Sequence, residues 1–145
     1  MGKGMKSNQV CKFVPTMVIG GLLGSYFGEC TKVGGAGGVG VFIVGNKEVF
    51  IGQFEKDNLA FDIPYIRIDR IQKTFGVYFL NRPRPNAQVF QVGRQFRING
   101  KITEGLFKNY KLVMAQPVKI TCMDPFMAFG TKLAPGGNVG YSENL

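Results

Sequence analysis

Histidine and tryptophan are absent from this 145-residue chain, and serine occurs only at Ser7, Ser25 and Ser142. Without histidine, Ser-His-Asp and Cys-His arrangements cannot form, and a zinc site loses its usual nitrogen ligand. Cysteine is scarce: Cys11, Cys30 and Cys122 stand far apart, with no C-x-x-C pair. An odd number of dispersed cysteines points to reduced thiols and a cytosolic folding environment, an intermolecular disulfide being the alternative. Acidic residues number only nine. Glu55 and Asp57, flanking Lys56 and followed by Asn58, read as a solvated turn and not as a general acid–base pair. No metal and no cofactor is expected, and the chain is read as non-enzymatic.

A long hydrophobic run is also lacking. The apolar stretch 13–28 follows Lys3, Lys6 and Lys12 in the manner of a signal peptide, without a clean small-x-small cleavage site. As a helix it would span about 24 Å, short of a bilayer core of about 30 Å. Pro15, Gly20, Gly21, Gly24 and Gly28 interrupt it. Membrane contact through 13–28 is therefore a lesser expectation than a glycine-rich connection with extended pieces; the four-residue spacing of Gly20, Gly24 and Gly28 would make a flat stripe on a helix.

Glycine is abundant at 21 residues, and thirteen phenylalanines with 45% hydrophobic content argue for one packed domain. The most informative feature is charge. Residues 65–119 hold eleven basic residues and two acidic ones, a surplus of nine that equals the formal charge of the whole chain. A one-sign segment on an otherwise neutral chain is an electrostatic footprint for an anionic partner.

The organisation reads as a Gly-rich N-terminal arm with an apolar segment (1–38), a β-domain (39–123) and a loop-like C-terminal tail (124–145), with a turn of helix at 125–130. Val39–Val44 and Glu48–Gln53 flank Gly45-Asn46-Lys47 as a hairpin. In Ile63–Ile71, Ile66 and Ile68 alternate with Arg67 and Asp69. Asn99-Gly100 between alternating segments predicts a two-residue turn with positive φ at both positions. Leu106–Met114 fits either a strand or a helical turn. Seven or eight short strands without long helices predict an all-β fold, a small antiparallel sandwich or barrel. The expected core is Phe42, Ile43, Val49, Ile51, Ile66, Ile68, Val77, Phe79, Val89, Phe96, Ile98, Ile102, Leu112, Val118 and Ile120.

The residues expected to meet a polyanion or a neighbouring subunit are Arg82, Arg84, Arg94, Arg97, Lys101, Lys108 and Lys111. Arg82-Pro83-Arg84-Pro85 presents two guanidiniums on a stiff backbone, which lose little entropy on engaging phosphate. Tyr65, Tyr78 and Tyr110 are the aromatics expected to keep a polar tip at the surface, as stacking platforms for single-stranded nucleic acid would. Val41–Lys73, with its hairpin followed by Ile63-Pro64-Tyr65-Ile66 and Ile68-Asp69-Arg70-Ile71, resembles the early strands of GRAM and pleckstrin-like domains. That resemblance covers barely a quarter of the chain, and the C-terminal amphipathic helix of those domains is not evident. It implies a module that reads anionic lipid at a membrane surface.

The leading expectation is a structural assembly subunit of small capsid or virion type. Its partners would be further copies of itself or other subunits, and nucleic acid through the basic surface. A single-stranded nucleic-acid-binding barrel and the lipid-binding module are the alternatives.

Overall fold

The computed structural model describes residues 9–82, 85, 88–120 and 139–141. Among them every helix or strand is a strand: β1 (Gln9–Ile19), β2 (Leu22–Cys30), β3 (Ala36–Val44), β4 (Glu48–Glu55), β5 (Asn58–Leu59), β6 (Tyr65–Asp69), β7 (Thr74–Leu80), β8 (Gln91–Arg97), β9 (Ile102–Lys108), β10 (Lys111–Ala115), β11 (Val118–Ile120) and β12 (Val139–Tyr141). Ten of these form one antiparallel sheet in the order β1-β2-β3-β4-β6-β7-β8-β9-β10, with β5 paired beside β4. The order is that of the chain, because each short turn returns a strand beside its predecessor. β1 and β10 do not pair, so among the described residues the sheet has two unpaired edges and is not a closed barrel. β11 and β12 make a separate antiparallel pair.

The all-β, antiparallel expectation holds, with more strands than the seven or eight read from sequence. The extra ones come largely from the N-terminal segment. Sequence places an arm before residue 39; the structure puts β1 and β2 there, paired through β3 with the rest of the sheet. Gly20 and Gly21 take φ of +57° and +82°, making a tight two-residue turn, so the glycine spacing marks a hairpin and not a helical stripe. No described helix is long and apolar enough to cross a membrane. Cys11 and Cys30 are joined by a disulfide across β1 and β2, which corrects the expectation of reduced thiols. Residues 1–8, Arg84, Cys122 and the turn expected at 125–130 lie outside the described residues.

Two turns depart from their sequence reading. At Asn99-Gly100 only Gly100 has positive φ, +91°. Phe96 pairs with Ile102 and the Arg97 N–H donates to the Lys101 carbonyl at 2.9 Å, leaving a three-residue loop with glycine at the bulge position. The two-residue turn with both φ positive occurs instead at Asn109-Tyr110, +51° and +62°, and resolves Leu106–Met114 as two strands.

Of the expected core, Phe42 is buried on the inner face and Val77, Phe79 and Val118 are buried in a second cluster, but most of the rest lies on the opposite face from the main core. Strand alternation is as read, but the face that closes on itself carries Tyr26, Phe42, Phe50, Phe54, Tyr65, Tyr78 and Phe107, with Arg67, Asp69 and Gln95 beside them. Ile43, Val49, Ile51, Ile66, Ile68 and Phe96 point to the other face and are half-buried, and Ile98, Ile102 and Leu112 are exposed. On that outer face β11 covers one end, where Val118 packs with Val77, Phe79, Val92 and Leu106. The side chain of Ile120 lies outside the described residues.

Glycines open the inner face to the large rings. Gly28, Gly40 and Gly52 pair in one row across β2, β3 and β4. The Tyr26 phenol lies where a Cβ on Gly40 would sit, with its hydroxyl 2.4 Å away, and the Tyr65 Cβ is 2.7 Å from the same point on Gly52. Rings laid over strand glycines recover the packing that glycine forgoes. From opposite edges, Ile19 and Gly20 at one hairpin tip and Asn109 and Tyr110 at another reach over this face. They line a cleft of about 380 Å³ with Phe50, Phe54, Leu59 and Leu80. Gly76 shows the constraint most sharply, since a Cβ there would lie 2.3 Å from the Tyr78 ring. Gly76→Ala is expected to destabilise the fold by about 1–3 kcal/mol, an overpacking cost, measured by urea unfolding. A stability unchanged from wild type would show that the ring moves freely.

Candidate functional site

The inner face is organised around a buried guanidinium. Arg67 stands in β6 between Phe50 of β4 and Gly76 of β7. It is only 7% exposed. Its Nε and Nη2 donate to Glu48 Oε2 at 2.9 and 2.6 Å, and Nη2 donates to Asp69 Oδ2 at 2.9 Å. Asp69 Oδ1 accepts the backbone N–H groups of Ile71 and Gln72, each at 2.9 Å, which fixes the turn after β6. Burial works against the Asp69 charge, but the Gln72 N–H, Arg67 and the Ile71 N–H outweigh it and hold the carboxyl below its ordinary range. Burial likewise disfavours the Arg67 charge, and Glu48 more than restores it.

A tyrosine roof covers this group. The Tyr110 ring stacks on the guanidinium, 3.8 Å from its centroid to Cζ. A bulky residue rarely adopts the positive φ that Tyr110 has, and it persists here because neighbours over-determine it. Its hydroxyl is 2.7 Å from that of Tyr65, its N–H donates to Gln91 Oε1 at 3.0 Å, and its carbonyl accepts from Gln95 Nε2 at 3.1 Å. Gln95 Nε2 also donates to the Tyr78 hydroxyl at 3.0 Å. Burial pushes the phenols of Tyr65 and Tyr78 up, and that of Tyr110 to about 12. Tyr65 and Tyr78 are fully buried, which corrects the expectation that their tips reach the surface as stacking platforms.

Beside this floor opens a pocket of about 220 Å³, lined by Arg67, Asp69, Gln72, Thr74, Gln95, Arg97, Asn109, Tyr110 and Lys111. Its rim merges with a basic end of the sheet. The turns at 45–47, 70–73 and 98–101 lie side by side, since the Arg70 N–H donates to the Lys47 carbonyl at 2.8 Å and the Ile98 N–H to the Lys73 carbonyl at 3.3 Å. Lys47, Arg70, Lys73, Arg97 and Lys101 are all exposed there.

A second surface is apolar. On the outer face Ile43, Val49, Ile68, Phe75, Phe96 and Ile102 pair successively across β3, β4, β6, β7, β8 and β9. Six strands at about 4.8 Å spacing make this row roughly 25–30 Å wide. Phe75 is 40% and Ile102 57% exposed, and the Phe75 and Phe96 rings lie 5.7 Å apart.

The seven sequence-predicted contact residues divide among these places. Arg97 and Lys111 meet at the pocket, with Lys101 at the adjoining turn. Arg94 is spent on Glu104 across β8 and β9, Nε to Oε1 at 2.8 Å. Lys108 donates to Gln88, and Arg82 lies 3.4 Å from Asp62 and over the Phe61 ring, both at the opposite end of the sheet. Arg84 is outside the described residues. Lys47, Arg70 and Lys73 were missed as partners of Arg97 and Lys101. The signal for them is parity, since alternate turns of a meander share an end.

No family model, no curated protein and no solved structure matches this chain.

Asp69→Asn is expected to cost about 2 kcal/mol at neutral pH through weakened charge-assisted hydrogen bonds. Because the folded state depresses the Asp69 pKa, that stability is present above the ordinary carboxylate range and is lost as pH falls through the folded value. The gap between wild type and variant in urea unfolding should therefore narrow below about pH 4. A gap that stays constant into acid would show that Asp69 is not the group that titrates.

Proposed function

We propose that this chain is a non-enzymatic structural subunit. It docks on further copies of itself through the outer face of the sheet and turns its basic end toward an anionic partner, nucleic acid foremost. The observation that carries the reading is the apolar row from Ile43 to Ile102, half-buried to exposed and without a second layer over it among the described residues. Monomeric proteins rarely expose contiguous apolar patches beyond a few hundred Å², and larger ones mark docking surfaces. Among the described residues most of this face has no second layer, since β11 packs at the end around Val92 and Leu106.

Charge supports an identical partner. The ion pair nearest the row, Arg94 with Glu104, is internally neutral, so two copies of the face meet without like-charge repulsion. Apart from Lys119 of β11, the exposed cations instead sit toward the ends of the sheet, where they remain accessible when the faces pack. A basic end left open in this way suits phosphate-rich partners, whose binding weakens with salt.

The test is Phe75→Lys/Ile102→Lys, followed by sedimentation velocity at tens-of-micromolar protein. Wild type is expected to sediment as a dimer or larger. The variant is expected to be a monomer whose melting temperature stays within a few degrees of wild type, because both side chains are substantially exposed. A monomeric wild type, or a variant that associates as well as wild type, would contradict the reading.

A further inference from the structure

We infer that the pocket between β7, β8 and the Asn109-Tyr110 turn is a binding site for a phosphate group, gripped by Arg97 and Lys111 with Thr74, Gln72 and Asn109 as neutral partners. This rests on the basic end being the anion-facing side and is independent of docking through the outer face.

The floor and the rim of this pocket differ in how far their polar groups are spent. On the floor every polar side chain is engaged: Arg67 with Glu48 and Asp69, Asp69 with two backbone N–H groups, Gln95 with Tyr78 and Tyr110, and Tyr110 with Tyr65. The floor is therefore rigid and offers little to a ligand beyond its shape. On the rim, Gln72, Thr74, Arg97, Asn109 and Lys111 make no side-chain hydrogen bond or ion pair among the described residues. Five unspent polar side chains, two of them cationic, converge on one small cavity.

Thr74 is the telling member. The residue is only 5% exposed, it lines the pocket, and its hydroxyl has no hydrogen-bond partner among the described residues. Its oxygen is not itself cut off from solvent, so the hydroxyl opens onto the pocket and can donate to a ligand there. Arg97 is its direct cross-strand neighbour. The pair presents a guanidinium fork and a hydroxyl from adjacent strands, a donor set that fits the oxygens of one tetrahedral anion.

Size and charge agree. A volume of about 220 Å³ corresponds to roughly seven waters, enough for a phosphate and the first atoms of whatever carries it. The lining holds three cations against one carboxylate, Asp69, both of whose oxygens are already occupied. Glu48 stands behind Arg67 and bonds it through Oε2. Lys73 and Lys101 sit on the flanking turns and add positive potential at the mouth.

Isothermal titration of the full chain with inorganic phosphate tests this, with Arg97→Gln/Lys111→Gln as the pocket variant and Lys32→Gln/Lys119→Gln as a control of equal charge. Saturable binding is expected in wild type and in the control. The pocket variant should bind at least about tenfold more weakly, the worth of a lost charge-assisted hydrogen bond. Thr74→Val, which keeps shape and removes the hydroxyl, should weaken binding several-fold in a folded protein. No saturable binding, equal loss in the control, or full binding by Thr74→Val would overturn the assignment. Competition by a short oligothymidylate would identify a phosphodiester backbone as the source of the group, and failure to compete would assign the site to a free or terminal phosphate. Sedimentation of the pocket variant, expected to match wild type, separates this result from the docking reading.

Discussion

One guanidinium holds the inner face together. Arg67 carries its charge into a place where burial penalises it, and the cost is offset only because both neighbouring carboxylates and an aromatic ring meet it at once. Buried ion pairs of this kind add little net stability, but removing one partner leaves an uncompensated charge and costs about 3–5 kcal/mol. Their effect is on uniqueness. Glu48 comes from β4, Arg67 and Asp69 from β6, and Tyr110 from the turn between β9 and β10, so only one arrangement of these elements satisfies the group. The positive φ of Tyr110 is a local strain that this satisfaction holds in place.

The same group shapes both surfaces. By drawing the β9–β10 turn over the inner face, it brings Lys111 from the far end of its hairpin to the pocket that Arg97 lines. With rings and a charge network filling the inner face, the branched aliphatic residues lie on the outer face, where few of the described residues cover them. The sheet thus closes on its ring-rich side and presents the other, which is the face that the proposed docking would use.

Much of the fold was legible in the sequence. Alternation located β3, β4 and β6 to β9, and the absence of helical periodicity gave the class. The face was not legible, because Arg67 and Asp69 alternate with Ile66 and Ile68, and the ordinary rule sends charges outward. Only the partners Glu48 and Tyr110, 19 and 43 residues from Arg67 along the chain, make the exception affordable. The N-terminal strands were obscured by glycines, which have low strand propensity alone; in β2, Gly24 lies against the Phe42 ring and Gly28 beside the Tyr26 hydroxyl. The turn at Asn109-Tyr110 carries no local signal, since tertiary contacts and not propensity hold a tyrosine there. Of the candidate site, Arg97, Lys101 and Lys111 were visible as charge, while Thr74 was invisible because its role depends on a pocket made by three separate elements.

If Arg67 is the common anchor, its removal must loosen distant elements together. Native-state hydrogen exchange on Arg67→Met measures this directly. The account predicts a joint loss of protection at the Tyr110 amide, at the β4–β6 ladder and in the turn after Asp69, with β2 and β3 retaining theirs. Loss confined to β6, with the Tyr110 amide as protected as in wild type, would contradict it.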